Sequence, residues 1–153
     1  MANEIQIKDG TATALTITLA SLATSSARQS TTIDNSTTQF PSVIIFVKIT
    51  SGTVAPTAGQ VYEIYLLRSD GTVADDGAGA SDAAITIENA PLLGTIVVTN
   101  TASKAFYGVF DTSTLGVLGA TWGIAVKNAT DQSLHSTGGN HAIRYTSYLP
   151  EVQ

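Results

Sequence analysis

Short stretches in which apolar and polar side chains alternate recur along this chain. They lie at Ala12–Ala20, Val43–Thr50, Val61–Arg68, Thr95–Thr99, Ala105–Phe110, Trp122–Lys127 and His141–Leu149. A two-residue period sends successive side chains to opposite faces, which is strand geometry and cannot make the single apolar stripe of a helix. Turn-forming residues separate several of these stretches, among them Asp34–Asn35–Ser36, Gly52, Pro56, Gly59 and the Asp70–Gly71 pair. The pattern predicts an all-β fold: a single antiparallel β-sandwich, with the jelly roll as one form of it.

No repeat or linker divides the 153 residues. The expected organisation is an N-terminal arm or edge strand over 1–10 and one sandwich domain over 11–153. Arg28–Ile33 and Ala83–Glu88 are further short strand candidates, and the stretch from Asp75 to Asp82 reads as an exposed flexible loop. Two strands are apolar on both faces: Val43–Thr50 carries Ile44 and Phe46 opposite its inner row, and Val61–Arg68 carries Tyr65 and Leu67. A sandwich interior covers one side, so a loop, an arm or another subunit is expected to cover the other.

Only 12% of residues are charged, and the net charge is −5. The seven basic residues are scattered, which argues against binding nucleic acid through phosphates. Thiolate chemistry and disulfide stapling are excluded by the lack of cysteine. Ala12–Ala23 is interrupted by Thr13, Thr16, Thr18 and Ser21 and follows Glu4 and Asp9, so it reads as a strand and not as a leader or membrane span. Cytosolic synthesis without membrane insertion is the expectation.

No nucleophile elbow, phosphate loop or dinucleotide fingerprint occurs, and no catalytic residue, cofactor or metal is assigned. His135 and His141, with Asp131, are too few for an expected zinc site. Asp70, Asp75, Asp76 and Asp82 supply hard oxygens for calcium, but without the twelve-residue loop spacing, and ordinary solvation is the simpler reading. Asn35–Ser36–Thr37 and Asn128–Ala129–Thr130 match the glycosylation triplet. Tyr65, Tyr145 and Tyr148 are the candidates for a sugar platform, with Tyr62 and Trp122 assigned to the core. For assembly, Tyr65 and Leu67 are candidates to cover a neighbouring subunit, and Ile5 and Ile7 to add an arm to another sheet.

The polar start Met1–Gly10, the Thr/Ser-rich passage Thr24–Phe40, Pro41–Thr50, the Gly59–Thr72 hairpin and the Gly139–Leu149 finish together resemble small structural proteins of tailed bacteriophages. The likeness is one of general layout, to capsid decoration and tail accessory proteins. It implies a non-enzymatic protein of the virion, on the capsid exterior, made in the bacterial host cytoplasm. It further implies a homo-oligomer, a trimer among the options, attached to the major capsid protein or another virion component. The alternative is a tail or surface module that recognises a host glycan.

Overall fold

The computed structural model describes residues 5–77 and 81–152, with side chains from 10 to 77 and from 81 to 148. Its strands are β1 (Ile5–Asp9), β2 (Thr13–Ala14), β3 (Ala27–Gln29), β4 (Ile33–Asp34), β5 (Ser42–Thr50), β6 (Val61–Ser69), β7 (Ala83–Ile85), β8 (Leu92–Val97), β9 (Ala105–Asp111), β10 (Thr121–Ala129) and β11 (Ala142–Val152). They form two antiparallel sheets. Sheet A runs β1-β11-β5-β9, with β2 also on β11; sheet B runs β7-β3-β10-β6-β8, with β4 also on β10.

The two-residue period decides what lies between the sheets. Val43, Ile45, Val47 and Ile49 of β5 face Tyr62, Ile64 and Leu66 of β6 and Trp122, Ile124 and Val126 of β10 in one buried cluster. Burying each of these large side chains contributes about 1.5–3 kcal/mol. Phe106 and Phe110 of β9 add to the same side. Gly94 and Gly108 leave room for the Phe110 ring, since a Cβ at either position would stand 2.5 or 2.7 Å from it. The missing side chains bring β8 close beneath β9 at this margin.

Ala12–Ala20 is not one strand. Only Thr13–Ala14 pairs with β11; Leu15 N–H then bonds Ile143 O in sheet A, while Thr16 O accepts Thr31 N–H on the side of sheet B. The segment changes sheets, so no single ladder can hold it, and its apolar residues Leu15 and Leu19 plug the core instead. β11 also outruns its expected end at Leu149 and continues to Val152, with Pro150 opposite Ile7. β5 has ended at Ser42 by then, so the absent proline N–H removes no bond on that side. At Asp70–Gly71 the turn forms, with Gly71 at φ +100, but the return strand reduces to a single bridge between Ser69 and Ala74.

Candidate assembly face

The two strands with two apolar faces meet different fates. The outer face of β6 is covered by the chain itself: Leu67, Ala90 and Ala125 form a second small core, with Tyr65, Ile85 and Ile87 packed against it. The excursion between β6 and β8 supplies this cover. Asp76 holds it closed by accepting the backbone N–H groups of Glu88, Asn89 and Ala90 at 2.9, 2.8 and 2.6 Å. Arg68 pairs with Asp75 at 2.9 Å, and Arg28 pairs with Asp82. The assignment of Leu67 to a subunit interface is therefore corrected, because Leu67 is 5% exposed beneath its own chain. Tyr65 is half-buried beside it, and its hydroxyl donates to Glu63 Oε2 at 2.8 Å. Burial, reinforced by the Glu63 carboxylate, pushes the Tyr65 phenol up to about 12. Positions 78–80 of the expected flexible loop lie outside the described residues; Asp75, Asp76 and Asp82 are partly buried and bonded.

The outer face of sheet A has no such cover among the described residues. Its register sets Arg144, Phe46 and Val109 in one cross-strand row and Ala142, Lys48 and Tyr107 in the next. Phe46, Tyr107 and Val109 are 41%, 70% and 64% exposed, with half-buried Ile44 beside them. Scattered apolar residues on a surface are ordinary; neighbouring ones on a flat sheet make a patch. The charges differ between the two sheets too. Arg28, Arg68 and Lys127 are ion-paired with Asp82, Asp75 and Glu63 on sheet B. Lys48 and Arg144 have no carboxylate partner among the described residues; Arg144 Nη2 donates to Ala12 O at 2.7 Å. Among the described residues, two cations without a carboxylate partner thus flank the exposed aromatic face, with Asp111 on the same face beside Ile44. The sequence places Phe46 on the second apolar face of its strand, the signal that points here, but does not single out Tyr107 or Val109 as assembly residues.

The other candidates do not converge. Tyr145 lies on the inner face of β11, edge-on to Trp122 with ring centroids 4.9 Å apart, and Tyr148 reaches Asp111 across the outer face at 3.2 Å. With Tyr65 on sheet B, the three tyrosines occupy three separate surfaces and build no common sugar platform. Ile5 and Ile7 sit on β1, paired with β11 of their own chain, and their side chains, like positions 1–4, lie outside the described residues. Both glycosylation triplets are structural. Asn35 is buried with its amide donating to Phe40 O and Gly119 O, and Asn128 donates to Leu22 O and Gln132 O.

No group of three or more His, Cys, Asp or Glu among the described residues could hold a metal ion. The aspartates weighed for calcium, for which solvation is the simpler reading of the sequence, accept protein donors: Asp70 accepts Val73 and Thr72 N–H, both at 2.7 Å, and these amides hold its carboxyl below the usual range. A cavity of about 270 Å³ beside the excursion is lined by Gln29, Arg68, Asp76 and Trp122 among others, and none of the three tyrosines lines it.

His141 Nδ1 accepts Thr50 N–H at 3.3 Å, so its Nε2 carries the proton that bonds His135 O at 2.9 Å. Burial first, and nearby His135 and Lys48, hold the imidazole below its ordinary value of 6.5 despite the His135 carbonyl. A depressed base pKa favours the neutral ring in the fold. Its contribution is complete above pH 6.5 and is lost as pH falls from there through the folded value. Thermal midpoints are expected to drop between pH 7 and 5, with a His141→Asn variant losing most of that slope. The aspartates act separately, below their ordinary 3.8.

No protein-family model matches the chain, and no curated protein sequence matches it.

Proposed function

We propose that this protein is a non-enzymatic structural component of a phage virion, a decoration protein that binds the assembled shell through the outer face of sheet A. The observation that carries the reading is the open aromatic face of Phe46, Tyr107 and Val109, flanked by Lys48 and Arg144, which have no carboxylate partner among the described residues. Such a face suits a partner that is apolar at the centre and acidic at the rim, and the proposed occupant is the major capsid protein. Several modest contacts on one lattice dissociate less readily than any one of them, which is the working principle of a cementing protein.

The strand order supports a jelly-roll reading of the sandwich. Take β1/β2 and β3/β4 as single interrupted strands and set β7 aside. The first strand then pairs with the last (β11), the second with β10, β5 with β9, and β6 with β8. That is a long hairpin wound around itself, the plan found in viral capsid and lectin domains; the link to function here is analogy of fold.

Immunogold labelling of phage particles from the lysate that carries the gene tests the reading. Regular labelling of the shell is expected, and purified particles without this chain would overturn it. Within that assay, Phe46→Glu is expected to weaken shell binding about 30-fold or more, as loss of a central aromatic anchor does. The variant's thermal midpoint should stay near that of the parent, since Phe46 is outside the core.

A further inference from the structure

We infer that β9 is a self-pairing edge, which joins antiparallel to β9 of a second copy about a two-fold axis through Gly108 and makes one sheet continuous across both molecules. The inference is separable from shell attachment: it rests on the backbone edge of β9, although Tyr107 and Val109 belong to both surfaces, whereas Phe46 belongs to the face alone.

The backbone sets the geometry. Ser51 N–H bonds Lys104 O at 3.0 Å, and antiparallel ladders alternate bonded and non-bonded pairs. The bonded pairs with β5 therefore fall at Phe106, Gly108 and Phe110, opposite Ile49, Val47 and Ile45. Ala105, Tyr107 and Val109 direct their N–H and C=O groups the other way. No second strand pairs with β9 among the described residues. Backbone groups left in this state form a template for another strand.

The other edges carry the usual defences. β7 has three residues, the β6–β8 ladder is broken by a register shift at Ile64/Tyr65, and β1 contains Lys8 and Asp9. β9 is seven residues, AFYGVFD, with no proline and no charge before its final position. Its pairing with β5 runs through without a shift.

The strand also complements itself. A two-fold axis at Gly108 places Tyr107 opposite the second copy's Val109, an aromatic and β-branched pair of the kind that stabilises sheets. Ala105 then faces Asp111. Every residue of β9 finds a partner in this register, and the same surface serves both molecules, as a closed two-fold interface requires. A second copy is favoured over a different protein because the complement is already present in one sequence.

Sedimentation velocity over a broad concentration range is the test. A species of twice 15.8 kDa is expected to grow in with concentration. Val109→Pro removes an edge-directed N–H without touching the β5 ladder, and should weaken association at least 10-fold at unchanged far-ultraviolet circular dichroism. Val109→Lys, which places a charge on the edge, should do the same. A chain that stays monomeric throughout, or dimers that persist in folded variants, would overturn the inference. Hydrogen exchange on the unmutated chain gives an independent reading. The Tyr107 and Val109 amides should slow as concentration rises, and concentration-independent exchange would count against β9 pairing. Phe46→Glu should leave the dimer intact while it weakens shell binding, so the two proposals fail separately.

Discussion

Asn128→Ala is expected to lower the unfolding free energy by about 2–4 kcal/mol, a large share of the 5–15 kcal/mol typical of a domain. Asn128 is fully buried on the inner side of β10, opposite Tyr62. Its amide nitrogen donates to Leu22 O at 3.1 Å and Gln132 O at 2.8 Å, and its Oδ1 accepts Thr130 N–H and the Thr130 hydroxyl. One side chain thus ties the crossing segment before β3 to the turn that leaves β10. Leu22 O keeps a second donor in Leu134 N–H, and the Thr130 hydroxyl, released from Oδ1, can turn its one proton to Gln132 O, but the buried Thr130 N–H would lose its acceptor. Asn128→Asp retains that acceptor and loses both donations, so it should also destabilise. Urea unfolding of the three proteins measures the series; an alanine variant within about 0.5 kcal/mol of the parent would show that the network is not holding the turn.

The strands were legible because alternation is a local signal. Val43, Ile45, Val47 and Ile49 announce an inner row wherever the strand ends up. What covers the second face is not local. Tyr65 with Leu67 and Ile44 with Phe46 make the same pattern in sequence, yet the first pair lies under residues between β6 and β8 and the second lies open. The difference is the course of an excursion whose anchor, Asp76, accepts three amides more than ten residues ahead of it. A cluster of aspartates in a glycine-rich stretch looks alike whether its oxygens face calcium, water or backbone amides. The glycosylation triplets are equally silent on burial, since that of Asn35 and Asn128 depends on distant carbonyls from Gly119 and Leu22. Ala12–Ala20 alternated correctly but had to pass from one sheet to the other, which period alone does not reveal.

Trp122→Ala should cost about 3–5 kcal/mol, the largest single effect expected in this fold. The indole is 2% exposed and meets the Tyr145 ring edge-on at 89°, which joins β10 of sheet B to β11 of sheet A across the core. Its removal leaves a void between the two sheets, where Trp122 is among the largest buried side chains, at 2% exposure. Tyr145→Ala should cost less, because that ring is only half-buried. The double variant should fall short of the sum by about 0.5–1.5 kcal/mol, the coupling expected of an aromatic pair. Chemical denaturation of the four proteins supplies the cycle. A coupling near zero would mean the two rings merely adjoin. A Tyr145→Ala variant as stable as the parent would free that residue from the core and return it to the glycan-binding role for which its sequence position made it a candidate.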